Sequence, residues 1–370
     1  MRLNSLFIII LFGIIFTMNG CTKHSSKFDV FVSNFIETTF ELEPTFAVNM
    51  GRHEFDGQLP DWSKEGITKH VEFLKDSRFK TMEFEDKNLS KIQRFDKKYL
   101  LAVIDEQLFS KEWARLPFTN PVYYEAIGPD VYLSREYASI EKRMIAYSVY
   151  ANNVPVAVEQ IIENMVTPLP RTFAEVGKKI SHGLADHMKN GVPGIFSSVD
   201  YPKLQSEFSI ANGIATAAMK KLGDWYEFQI EKATDDFALG EELYKKMLWM
   251  TERVDTPLDE LEAIALADSD RNTKDLANAC EEFAPGKSIT DCVAKAQADK
   301  PEGGAVEGAR AQLSDLKQFL LDNDLVSIPG DEESLVDEAP PHNRWNFAYI
   351  EIPGPFEKGL SSIYYIAPPD

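Results

Sequence analysis

The residues of this 370-residue chain that could do chemistry are few, and the first is a thiol. Met18-Asn19-Gly20-Cys21 sets a cysteine, with a small residue before it, directly behind an apolar run. That is the arrangement at which an exported bacterial chain is cut and diacylated. The polar stretch Thr22-Lys23-His24-Ser25-Ser26 then serves as a tether, and lipid at Cys21 would hold the chain to a membrane. Met18 and Asn19 are looser than the usual residues there, so cleavage of a non-lipidated signal nearby stays open, although the position of Cys21 favours lipidation. Thr22 in second place offers no inner-membrane retention signal, which points to the outer membrane facing the periplasm. Two other cysteines remain, Cys280 and Cys292. In the oxidising compartment an exported chain meets, a close pair favours a disulfide over a redox or metal site, worth roughly 3 kcal/mol in the chain-entropy model. Two buried free thiols are the alternative.

Other constellations imitate chemistry without supplying it. Gly286-Lys287-Ser288 looks like the end of a phosphate loop, but Glu281 stands where the first glycine belongs and no strand precedes it. Asp268-Ser269-Asp270-Arg271-Asn272 imitates a calcium loop. Thr273 replaces the turn glycine, and Ala279 sits at the place of the bidentate glutamate. Of the six histidines only His182 and His187 lie close, and a five-residue spacing puts them about 140° apart on a helix, too far round to share a metal. No H-E-x-x-H and no G-x-S-x-G occurs, so no residue is assigned as catalytic or as a metal ligand.

The elements that must carry these residues are mostly helical. Leu204, Phe208, Ala211, Ala215, Ala218, Leu222 and Trp225 repeat in steps of four and three, as do Val306, Ala309, Leu313, Leu316 and Leu320. Similar patterns cover 28–48, 64–82, 89–113, 134–165, 172–189, 240–253 and 257–281, with Pro155 expected to kink or divide its helix. The end of the chain changes character. Leu325–Ile328, Phe347–Ile350 and Ile363–Ile366 read as strands, and the acidic DEESLVDEAPP between the first two reads as a loop. The expected fold is mainly α, a large multi-helix body with a small antiparallel sheet begun at the C-terminal end. The expected division is a signal peptide over 1–20, a lipidated tether over 21–27, the helical body over 28–323 and a strand-containing segment over 324–370. The apolar run Leu6–Met18 spans about 20 Å as a helix, short of the roughly 30 Å hydrocarbon core, which makes it a signal sequence and not an anchor. A formal charge of −20 without a basic stripe argues against nucleic acid as a partner.

Several stretches resemble the bacterial domain-of-unknown-function 885 family, whose members are regarded as candidate zinc peptidases of the gluzincin kind. They are EPTFAVNMGRHEFDGQLPDWS, FALGEELYKKML, DTPLDELEAIALADSDRN, CEEFAPGKSITDCVAKAQADKPEGGAV and PPHNRWNFAYIEIPGPFEKGLSSIYYIAPPD. The likeness runs from about Phe28 to Asp370. It implies a zinc-holding His-Glu-x-x-Pro-Gly-His helix after the last strands, and a strand beside that helix which receives peptide substrate. No such helix segment occurs in this sequence, so zinc is implied for full-length members and no cofactor for this chain. The chain is expected to be the front of a longer gene product and inactive as given, with a non-enzymatic binding lipoprotein of the envelope as the alternative. The candidate substrate strand is Ser361 to Ile366, including Ile363, Tyr364 and Tyr365, with Arg344 and Tyr349 on neighbouring elements. The plainer reading of these residues is core aromatics and a salt-bridged arginine. Tyr123 and Tyr124 either line a cleft or pack the body.

Overall fold

The computed structural model describes residues 26–328, 330, 333–339 and 347–367, so Cys21 with its tether and Arg344 lie outside the described residues. Helices dominate: α1 Lys27–Leu42, α2 Pro44–Asn49, α3 Lys64–Glu83, α4 Lys91–Leu108, α5 Leu116–Thr119, α6 Asp130–Ser134, α7 Ile140–Asn164, α8 Arg171–Asn190, α9 Val192–Ile195, α10 Pro202–Ile230, α11 Glu241–Met247, α12 Leu258–Phe283, α13 Ile289–Ala298 and α14 Gly304–Asp322. Their starts are written locally. Ser26 and Ser90 form capping boxes with Asp29 and Gln93, and Ser63, Ser139 and Ser288 cap α3, α7 and α13 through their hydroxyl oxygens.

Two prolines act opposite to one another. Pro44 splits the helix expected over 28–48, because a residue without an N–H fits the first turn of a new helix better than the interior of an old one. Pro155 does not divide α7, which runs unbroken through it. Its neighbours Val154, Ala157 and Val158 are all buried, and that packing outweighs the lost backbone bond.

The main core lies where α10 packs along both α7 and α8. Leu204, Phe208, Ala211, Ala215, Ala218 and Leu222 are buried as their spacing predicts, while Tyr226 takes the inward place expected of Trp225. Gly177 permits the close crossing of α8 and α10, since a Cβ there would sit 2.9 Å from the Tyr226 ring. At the centre the Tyr147 hydroxyl donates to Asn212 Oδ1 at 2.6 Å, and Asn212 Nδ2 donates to the Met188 carbonyl at 2.8 Å. One buried polar chain thus ties three helices together. A second core joins Phe35, Leu74, Leu100, Ile104 and Leu108 from α1, α3 and α4.

The C-terminal stretch is built differently. Leu313 and Leu316 of α14 are exposed despite their helical spacing, and α12 buries only Cys280. The sheet contains β1 Leu335–Glu338, β2 Ala348–Glu351 and β3 Ile363–Ile366 in the order β1-β3-β2. It is mixed where an antiparallel sheet was expected: β2 runs antiparallel to β3, but β1 runs parallel to it. Leu325–Ile328 is not a strand. Asp324 adopts a left-handed conformation and the Leu325 amide caps α14 by donating to the Leu320 carbonyl. The strand falls within the acidic stretch read as a loop, because Leu335–Glu338 finds a partner in Ile363–Ile366 and buries Val336. Among the described residues no helix is long and apolar enough to cross a membrane.

Candidate functional site

The densest collection of charge in a partly buried place lies where the turn after α2 meets the segment after β2. Arg52, His53 and Asp56 stand on and beside a single 3-10 turn, Ser134 and Arg135 at the end of α6, and Glu351 and Glu357 on the C-terminal segment. His53 Nδ1 lies 3.0 Å from Asp56 Oδ1 and Nε2 lies 3.1 Å from Glu357 Oε1. Its ring stacks on Tyr137 at 3.5 Å, and the Tyr137 hydroxyl donates to Asp56 Oδ2 at 2.9 Å. Arg135 then binds Glu357 at 3.0 Å, Glu351 at 3.3 Å and the Asn49 carbonyl at 3.0 Å. Glu357 has a side chain only 3% exposed and also accepts from the Gly354 amide at 2.6 Å.

The electrostatics follow from this packing. Burial works against a charged imidazole at His53, but Asp56 and Glu357 outweigh it and hold its pKa above the ordinary value. Glu351 is shifted up by burial, against the opposing pull of Arg135 and Ser134. Beside the network, Phe356 enters a cage in which the Arg52 guanidinium lies 5.1 to 5.9 Å from the rings of Phe40, Phe55 and Phe356. Gly354 lies so close to the Met50 carbonyl that any side chain would collide with it, and the Phe356 amide donates to that carbonyl at 3.1 Å.

A second cluster is more deeply buried. Glu43, between α1 and α2, lies 3.1 Å from His70 Nδ1 and 3.4 Å from Lys111 Nζ, which also sits over the Tyr123 ring at 5.3 Å. Lys111 reaches inward from a π-turn that extends α4 over Phe109–Trp113. Burial, with Lys111 nearby, lowers the pKa of His70 despite its bond to Glu43. At Glu43 burial is outweighed by His70 and Lys111, which lower its pKa, and burial raises Tyr123.

The third cluster is at the surface. His182, Asp224 and Glu227 bring ligand atoms within 4.8 Å of one another across α8 and α10. Both carboxylates already face lysines: Lys220 lies 2.6 Å from Asp224, and Lys178 lies 2.6 Å from Glu227. Two ammonium groups in place and an open surface do not fit the dry, partly closed site a catalytic zinc needs. Two open grooves lie elsewhere. One is lined by Lys245, Trp249 and Asp255, the other by Ile145, Val149 and Tyr201, and neither contains a histidine.

The residues singled out in the sequence separate into distinct places. Cys280 and Cys292 are joined by a disulfide between α12 and α13. Ile363, Tyr364 and Tyr365 lie on β3 with Ser361 just before it, and β3 is hydrogen-bonded on both sides. An added peptide strand therefore has no free edge along β3 among the described residues. Tyr349 lies on β2, its ring stacked 5.1 Å from Tyr365, whose pKa burial pushes up to about 12. Tyr124 packs the body against Trp62, whereas Tyr123 joins the Glu43 cluster. His53 and Glu357 were missed. The available signal was the charge carried by two glycine-flanked stretches, GRHEFDG and GPFEKG, which the fold brings into contact.

Over residues 44–370 the chain matches the family described as bacterial protein of unknown function (DUF885). No curated protein matches it. A candidate lipoprotein of unknown function from Shewanella oneidensis shares the fold at a TM-score of 0.71 and 20% identity, over 93% of this chain and 65% of that one. A candidate lipoprotein from Colwellia psychrerythraea does so at 0.67 and 12%, over 91% of this chain and 67% of that one. This chain thus spans about two thirds of the length of these structural relatives. The chain belongs to the DUF885 family of bacterial proteins.

Proposed function

We propose that this chain is an exported, lipid-anchored envelope protein that carries the helical body and first strands of a peptidase-type architecture, and that these residues alone neither hold zinc nor cut peptide. One observation carries the second half. Among the described residues the only His-carboxylate group with ligand spacing is His182/Asp224/Glu227, and its carboxylates are engaged by Lys178 and Lys220 at an open surface. Around His53, Glu351 and Glu357 already hold Arg135, and around His70, Glu43 already holds Lys111, so these carboxylates do not stand ready for a metal.

The first half is supported by Cys21 behind the apolar run and by the candidate lipoproteins that share the fold. In this reading Cys21 carries the lipid, the outer membrane is the partner it enters, and the folded part faces the periplasm. Peptide is the substrate class for a longer form. It would add along an outer edge of the sheet, β2 or β1, and not along β3.

The deciding experiment is metal analysis and peptide hydrolysis on purified residues 22–370. Zinc far below one per chain and background hydrolysis of a casein-derived peptide mixture are expected. One zinc per chain, with hydrolysis lost on chelation and restored by zinc, would overturn the proposal. For the anchor, labelled palmitate should enter the wild-type protein in its host and not Cys21→Ser.

A further inference from the structure

Between the N-terminal turn and the C-terminal segment, the His53 imidazole touches two carboxylates from separated parts of the chain, Asp56 on its own turn and Glu357 across 304 residues. A neutral imidazole carries one N–H and a protonated one carries two. Only the protonated ring can donate to both carboxylates at once. We infer that His53 is a proton-operated latch, closed when protonated, that fixes the Glu351–Glu357 segment, and with it one end of the sheet, to the helical body.

Every group around the ring bears on this. On its own turn stand Asp56, which receives Nδ1, and Glu54, which is already held by Arg52 at 2.6 Å. From beyond α6 come Tyr137, stacked on the ring, and Arg135, bound to Glu357. From the C-terminal segment comes Glu357, with Glu351 reaching the same arginine. Arg135 keeps a hold on Glu357 after the imidazole loses its proton, so deprotonation loosens the junction without releasing it. What is lost is the positive charge that both carboxylates face, together with one of the two charge-assisted bonds, to Asp56 or to Glu357 according to the tautomer.

The sign is fixed by linkage. A histidine held above its ordinary pKa contributes stability that is complete below about 6.5 and is lost as pH rises through its folded value. The latch therefore closes toward acid and slackens toward alkali.

Hydrogen exchange reads it directly, because protection factors divide out the intrinsic pH dependence of exchange. The Phe356 amide, bonded to the Met50 carbonyl, is the reporter, and amides in the middle of α10 are the control. Between pH 6 and pH 9 its protection is expected to fall about tenfold in the wild type, the equivalent of one charge-assisted hydrogen bond, and to stay flat in His53→Gln. A flat wild-type profile, or the same slope in His53→Gln, would overturn the latch. Should that variant fold poorly, the imidazole itself is titrated by NMR in the wild type: a pKa above 6.5 that drops in Glu357→Gln supports the latch, and a pKa below 6.5 overturns it.

Discussion

The helical body and the C-terminal stretch use the same residue types at the same spacing and hold themselves together by different forces. Along α10 the apolar stripe disappears between α7 and α8, and the Tyr147–Asn212–Met188 chain locks the three helices in register. Along α14 the stripe of Leu313 and Leu316 stays exposed, and α12 buries one residue of its 26. There the chain is held by the Cys280–Cys292 disulfide, by strand pairing and by the ion pairs around Arg135. The body is stabilised by removing apolar surface from water, the C-terminal stretch by covalent and polar clamps placed at a few points. Periodicity alone cannot distinguish the two, because it reports that a face is apolar and not that anything covers it.

Substitutions should expose that division. Tyr147→Ala removes a ring buried among Tyr150, Phe196 and Phe208 and leaves Asn212 without its donor. It is expected to cost about 4 kcal/mol in denaturant unfolding of the body. Arg135→Gln removes the cation that Glu351 and Glu357 share and leaves Glu357 with only His53, at a site where the arginine side chain is 9% and that of Glu357 3% exposed. The expected loss is about 3 kcal/mol, confined to the junction. It should appear as faster proteolysis around residues 347–367, with α10 unaffected. Replacing Cys280 and Cys292 together by serine should weaken the α12–α13 hairpin by a similar figure, about 3 kcal/mol in the chain-entropy model, leaving the denaturant midpoint of the body in place. Leu266→Ala, at a side chain 62% exposed, is expected to change stability by less than about 0.5 kcal/mol. A large effect there would mean that α12 is covered in solution.

Much of the body was legible because its signals are local. The steps from Leu204 to Leu222 name the inward face of α10. The sheet was only half legible. Val336 sits in an acidic run that reads as a loop, and it becomes a strand because Tyr364 lies opposite it, a pairing no window around Val336 contains. The junction was legible only as two charged, glycine-flanked stretches with nothing to pair them. His53 reads as an isolated histidine and Glu357 as an ordinary surface acid, and each acquires its meaning from the other. Lys111 is similar: its inward path depends on the π-turn, which no propensity announces.

The most direct test of the division between body and C-terminal stretch is native-state hydrogen exchange across the whole chain at rising, sub-denaturing urea. Amides in α7, α8 and α10 should exchange only through global unfolding, with a steep urea dependence. Those in α12, α14 and β1 should open at lower free energy and with a shallower slope. A single isotherm joining α12 and α14 to α10 would contradict the division and show one cooperative core.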